Sequence, residues 1–137
     1  MKLFLDANVV LDLILKRQPF FDNIAKIVTV AESKNYTLCV SSVTFVNVNY
    51  IAFKFTNKKN VLESLKMLRI LFDVLSVSET EIDKALYSKF NDFEDAVQHY
   101  CALKNNCNYI ITRDSKDFKN SEIPAMSPTE FLASIKF

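Results

Sequence analysis

The chain contains no glycine. That absence excludes a phosphate-cradling P-loop, a dinucleotide-binding G-x-G-x-x-G turn and a G-x-S-x-G nucleophile elbow, each of which needs glycine where the backbone turns sharply or touches a ligand. The lone histidine, His99, is too little for a histidine-based triad or a multi-histidine transition-metal site. Cys39, Cys101 and Cys107 are odd in number and contain no C-x-x-C pair, so neither a disulfide framework nor a zinc cluster is indicated and buried reduced thiols are expected. The formal net charge is only +1, which gives no global field to drive the chain onto a polyanion, so any such partner must be held by a local patch or by bound cations. No apolar run reaches the length needed to span a bilayer. Met1 to Val10 lacks the order of a secretory signal, and the expectation is a cytosolic protein. Whatever chemistry occurs must rest on carboxylates, hydroxyls, amides and basic side chains.

What is present is material for one core. Half of the 137 residues are hydrophobic, 12 of them Phe, which suits a single domain over residues 1–137. "KLFL" is of strand length, and "NVVLDLILK" follows with apolar residues at helical spacing up to Pro19. "FFDNIAKIVTVAES" predicts a helix burying Phe21, Ile24, Ile27, Val28 and Ala31, and "TLCVS" a strand. "VTFVNVNYIAFKF" is too long for an ordinary strand and is read as a helix despite its β-branched residues. "KKNVLESLKMLRILF" is an amphipathic helix with Val61, Leu65, Leu68 and Leu71 or Phe72 inward. "DVLSV" predicts a strand, "SETEIDKALYSKF" a helix opened by Ser78 and Glu81 at capping-box spacing, and "EDAVQHYCALKNN" another helix. "NYIIT" and "IPAMS" add two strands, and Pro128 starts a last helix. Strands alternating with helices imply an α/β/α sandwich around a mostly parallel sheet of four to five strands, whose ligands bind outside the carboxyl ends of the strands.

That rule locates the acids. Asp6 directly follows "KLFL"; Asp114 follows "NYIIT", with Asp117 three residues on; Asp95 begins a helix whose N-terminus should lie at the same edge. Each has a plain structural alternative: Asp6 as a helix cap, Asp92, Glu94 and Asp95 as first-turn acids, Asp114 and Asp117 as turn-formers. Separate caps have no reason to meet, however. Converging carboxylates repel, and a hard divalent cation such as Mg²⁺ or Mn²⁺, held by oxygen ligands and retained waters, removes the conflict. Asp12 is expected to be solvated or salt-bridged, and His99 to have a surface or packing role.

"LDANVVLD", "DFEDAVQHYCA", "ITRDSKDF" and "PAMSPTEFL", in that order from Leu3 to about Leu132, resemble the PIN domain, the metal-dependent ribonuclease fold of VapC-type toxins. The resemblance implies Asp6 as the first metal-binding acid, Asp95 as the third and Asp114 as the fourth, with Asp117 beside it and all three leading acids catalytic. Its second acid, usually Glu, falls on Asn47 of "SSVTFVN"; an amide can ligate or orient water but carries no charge, and Glu94 is a candidate replacement. Ser41, Thr44 and Thr112 are capping or strand-end hydroxyls, or hold a metal-bound water. The implied reaction is hydrolysis of single-stranded or structured RNA to leave a 3′-OH and a 5′-phosphate, with Arg113, Lys116 or Lys119, and the run Lys54, Lys58 and Lys59 as candidate phosphate contacts. A homodimer and a small antitoxin laid across the cleft as a helix or strand are further implications of the resemblance. Two alternatives stand beside it. A haloacid-dehalogenase-type phosphotransferase also places Asp after its first strand but requires a second Asp where Asn8 stands. A metal-free RNA- or protein-binding module is the non-enzymatic alternative, favoured by Asn47.

Overall fold

The computed structural model describes residues 1–135. Five strands, β1 (Lys2–Leu5), β2 (Thr37–Ser41), β3 (Asp73–Leu75), β4 (Tyr109–Ile111) and β5 (Ala125–Met126), form one sheet in the order β3-β2-β1-β4-β5. Every pairing is parallel, with Phe4 opposite both Cys39 and Ile110, and Ile111 opposite Met126. The helices are α1 (Ala7–Ile14), α2 (Phe21–Lys34), α3 (Ser42–Ala52), α4 (Lys58–Leu71), α5 (Glu79–Leu86), α6 (Phe93–Lys104) and α7 (Pro128–Ser134). Because successive strand residues face opposite sides, Leu3, Leu5, Leu38, Val40 and Ile111 pack with α1 to α4 and α7, whereas Phe4, Cys39 and Ile110 pack with α6. The expected parallel α/β sandwich is therefore the one observed. Strand order reverses at β1, which has β2 on one side and β4 on the other, and the crevice of such a sheet opens at the carboxyl ends flanking that reversal.

Without glycine, the chain places other residues where the backbone turns left-handed. Asn35, the C-terminal cap of α2, has φ 59°, Asn106 after α6 has φ 58°, and Lys16 after α1 has φ 52°. Asparagine tolerates this region better than other non-glycine residues, because its short side chain can bond locally. The three thiols are buried and unpaired, and burial pushes Cys101 up to about 12.

Most differences from the sequence reading lie at element ends. Helix α3 stops at Ala52 and α5 at Leu86, both short of the predicted ends, and β3 and β4 are three residues each. In α4, Val61, Leu68 and the following Phe72 are buried, Leu65 is half-buried and Leu71 is exposed. Ser78 does not form the expected capping box: its hydroxyl donates to Glu81 Oε2 at 2.5 Å, and no side chain caps α5. The reason is that Glu81 is 1% exposed against α6, where its carboxylate pairs with Lys104 at 2.9 Å; the Ser78 hydroxyl first, and Lys104 after it, hold Glu81 down to about 2 despite burial. A satisfied buried charge outweighs one helix cap. The box forms instead on α7, between Ser127 and Glu130.

Candidate active site

Asp6 leaves β1 in extended conformation and caps α1, its Oδ1 accepting from the Ala7 amide at 2.8 Å. Its Oδ2 accepts from the Thr112 hydroxyl at 2.8 Å, and its own amide donates to Ile111 O at 3.0 Å, which ties the cap to the neighbouring strand. Thr112, fully buried, also accepts from the Asp114 amide at 3.1 Å, so one hydroxyl positions two acids more than a hundred residues apart in the chain. Burial raises the Asp6 pKa; its hydrogen bonds from Thr112 and Ala7 oppose that rise, and the charges of Glu94 and Asp114 add to it. Asp114 is exposed and opens a 3₁₀ turn, Ser115–Phe118, that carries Asp117; its Oδ2 accepts from Asn8 Nδ2 at 3.1 Å.

Asp95 arrives from the other side of the sheet. Asp92 caps α6, its Oδ1 accepting from the Asp95 amide at 3.0 Å, and Glu94 and Asp95 occupy the first turn. A helix N-terminus by itself favours the carboxylate and lowers a first-turn pKa. The opposite is found: burial first, then the charges of Asp6, Asp92, Asp117 and Glu94, push Asp95 up to about 7. A simple cap would show no such conflict. Asp6 and Asp117 act on Asp95 from distant parts of the chain, so acids scattered through the sequence share one field at the carboxyl edge.

Asn47, half-buried on α3, directs its Nδ2 to Glu94 Oε1 at 3.5 Å, the outer limit of a hydrogen bond. Below them, three buried polar side chains lock α3 to α6. Ser41 Oγ donates to Gln98 Oε1 at 2.6 Å, Gln98 Nε2 donates to Thr44 Oγ1, and the Thr44 amide donates to Ser41 Oγ at 3.0 Å. The sequence reading overlooked Gln98, because a glutamine in mid-helix looks like part of a solvated face. Its only signal is its place one turn beyond the acidic start of α6. Ser41 and Thr44 thus have a structural role, supporting the helix that presents Asp95.

The basic candidates are dispersed. Asp12 is 1% exposed and salt-bridged, with Arg17 Nε at 2.8 Å and Arg113 Nε at 2.8 Å, and the Arg113 guanidinium also lies 4.0 Å from the centre of the Phe20 ring. Arg113 is therefore committed to a buried carboxylate, which limits its freedom to follow a phosphate. Lys116 is exposed on the 3₁₀ turn beside Asp117. Lys54 lies apart from the acids: α3 starts at their edge, and its 11 residues, at about 1.5 Å each, carry the chain to the far side before Lys54 rests 4.9 Å over the Tyr50 ring. His99 has the packing role expected, buried beside Phe90.

The donor chemistry of this edge, oxygen-only and mutually repelling, suits a hard divalent cation. The carboxylates do not form a ready-made cage: among the described residues no three acid, imidazole or thiol groups are placed to hold a metal ion. The acids are instead engaged by hydrogen bonds: Thr112 and Ala7 donate to Asp6, Asn8 to Asp114 and Asn47 to Glu94.

A parallel sheet with order β3-β2-β1-β4-β5 and acids at its switch point defines an α/β protein built to bring carboxylates together at one edge. The PIN domain family model matches residues 2–116, and the chain belongs to that family. No curated protein matches it in sequence. Among solved structures, it is similar to VapBC-1 from nontypeable Haemophilus influenzae, with a TM-score of 0.70 and 21% identity over 94% of this chain and 99% of that one. VapBC2 from Rickettsia felis, solved with a DNA fragment from its promoter, gives 0.68 and 19% over 93% and 98%. VapC20 from Mycobacterium tuberculosis, described as a sarcin–ricin loop cleaving toxin, gives 0.64 and 12% over 79% and 86%. At these identities the likeness is one of fold.

Proposed function

We infer that the chain is a metal-dependent endoribonuclease, a single PIN domain acting in the cytoplasm as the toxin of a toxin–antitoxin pair. The observation that carries this reading is the convergence of acids distant in sequence at the carboxyl edge of the sheet, where Thr112 ties Asp6 to Asp114 and the charges of Asp6 and Asp117 reach Asp95. Membership of a family whose members are generally nucleases that use divalent metals supports it, as does likeness in fold to VapC proteins, several of them solved as toxin–antitoxin complexes. Among the described residues no helix is long and apolar enough to cross a membrane.

Asp6, Asp95 and Asp114 would hold Mg²⁺ or Mn²⁺, with Asp117 beside them and Glu94 supplying the charge that Asn47 lacks. When bound, the cation supplies neutralisation of the phosphodiester charge and acidification of an attacking water. The chain's own groups do the rest. The Thr112 hydroxyl donates to Asp6 and accepts from the Asp114 amide, orienting the one side chain and the other backbone. Asp92 caps the helix that presents Asp95, and the buried Ser41, Thr44 and Gln98 side chains beneath it fix that helix against the neighbouring one. Lys116 or Lys119, both exposed on the turn that carries Asp117, would contact a phosphate; Arg113 supports the Asp12 cluster and touches RNA only if that cluster opens. A homodimer and an antitoxin that covers the acidic edge belong to the same proposal.

A second reading, a metal-free RNA- or protein-binding module, draws on Asn47, a neutral amide that faces Glu94 where the resemblance expects a carboxylate. Cleavage of labelled single-stranded RNA, with metal titration of wild type and Asp95→Asn, separates the two. The nuclease reading expects Mg²⁺- or Mn²⁺-dependent cleavage that falls at least about a hundredfold in the variant, the loss of a few kcal/mol of transition-state stabilisation. Binding without cleavage in either protein selects the module. Asn47→Glu is expected to tighten metal binding, and an unchanged titration would remove residue 47 from the site.

A further inference from the structure

Beside Asp114 the surface opens into a cavity of about 260 Å³, just under the range of pockets for drug-sized ligands and so room for one ring system. Asp114 itself lines it, so whatever fills the cavity meets a candidate catalytic acid. Phe20, Asn23, Arg113 and Thr129 line it as well. Asn23 Nδ2 donates to Thr129 Oγ1 at 3.0 Å, which ties the start of α2 to the start of α7 and keeps the cavity's shape.

Of the two phenylalanines that open α2, Phe21 packs against the core, whereas Phe20 lines the cavity and remains 38% exposed. Its ring is nonetheless held. The Arg113 guanidinium stands 4.0 Å from the ring centre, a cation–π contact, and Asp12 grips that guanidinium at 2.8 Å. Arg17 pairs with the same carboxylate at 2.8 Å, so two cations share one anion. The cluster behind the cavity therefore keeps one positive charge, beside acids that would otherwise repel a polyanion. A fixed aromatic ring open to solvent, with surplus positive charge next to it, is the combination by which proteins hold single-stranded nucleic acid: the ring takes a base and the charge offsets the backbone.

We propose that this cavity is a stacking subsite for the unpaired base of the nucleotide next to the cleaved phosphodiester, with Phe20 as its platform and Arg113 holding that platform in place. Stacking accepts the flat face of any base, so the subsite has no preference among them. The proposal rests on the RNA reading above. It explains what Arg113 does at this edge while paired to a buried carboxylate.

The chain has no tryptophan, so Phe20→Trp introduces a single indole whose fluorescence reports directly on this position. The whole protein carrying that change together with Asp95→Asn, which the nuclease reading leaves unable to cleave, is titrated in Mg²⁺ with short homopolymers of U, A and C and with an abasic sugar–phosphate chain of the same length. The expected result is saturable quenching by all three homopolymers and none by the abasic chain. In cleavage assays Phe20→Ala is expected to raise KM about tenfold with kcat little changed, the loss of one stacked base, and Phe20→Trp alone to restore it. No quenching when anisotropy shows the RNA bound, equal quenching by the abasic chain, or an unchanged KM in Phe20→Ala overturns the subsite. If Phe20→Ala fails to fold, the quenching decides. Cleavage by the wild type with an unquenched indole sinks this inference alone, whereas base-dependent quenching without any metal-dependent cleavage by the wild type sustains it and sinks the nuclease.

Discussion

Asp95 shows most directly how context changes the meaning of a residue. At the start of a helix its carboxylate ought to be comfortable, yet burial and four neighbouring acids hold its pKa at about 7. The raised value has a consequence for stability. The folded state binds the proton more tightly than the unfolded chain, whose value lies near 3.8, so the cation-free protein loses stability as pH rises from about 4 through about 7. Asp95→Asn should remove that loss and raise the melting temperature at pH 8 in EDTA, with little change at pH 4. Thermal unfolding across pH is the measurement, and a variant less stable than wild type at pH 8 would show that repulsion does not dominate at this position. Mg²⁺ should stabilise the wild type at pH 8, where the acids are ionised, and have little effect on the variant.

At the scale of elements, the lack of glycine shifts responsibility to asparagine. Asn35 closes α2 in the left-handed region, with its amide bonded to Ala31 O and Glu32 O. Replacing it with Ala should cost about 1 kcal/mol, since a Cβ without a local hydrogen bond pays the full left-handed penalty. Asn35→Gly should be neutral or mildly stabilising; urea unfolding of the two variants side by side distinguishes a conformational cause from loss of a side-chain contact. Elements were legible wherever their apolar pattern was long. The helix from Phe21 and the strand "TLCVS" appear almost as predicted, because burial on one face and on both faces, respectively, leaves distinct periodicities. The ends were less legible. Ser78 and Glu81 have capping-box spacing, but local spacing says nothing about Lys104, which arrives from another helix and takes the glutamate.

For the whole molecule, the balance of charge near zero and the acidity of one edge together predict how RNA is approached. Without divalent cations, the cluster of Asp6, Asp95, Asp114 and Asp117 should repel a polyanion, so single-stranded RNA should bind weakly in EDTA. Adding Mg²⁺ should strengthen binding at constant ionic strength by more than tenfold, as measured by fluorescence anisotropy on the uncleaved Asp95→Asn control alongside wild type at early times. Because the variant lacks one ligand, a smaller gain is expected for it. An equal gain in both would mean that the cation acts on the RNA rather than on the acidic edge.

The amino-acid sequence by itself determined which elements form and at which strand end each acid stands, since both follow from local periodicity and from the chain leaving a strand. It also determined, through the absence of glycine and the scarcity of histidine, the classes of chemistry that were unavailable. Only the tertiary structure decided which groups share a field: that Thr112 links Asp6 to Asp114, that Asp12 captures Arg113, that Lys54 ends up a helix length away from the acids and that His99 is buried against Phe90 and Tyr100. The physical reason is range. Propensity and capping act over a few residues, whereas Coulomb interactions and desolvation depend on distances across the fold, which no local pattern encodes.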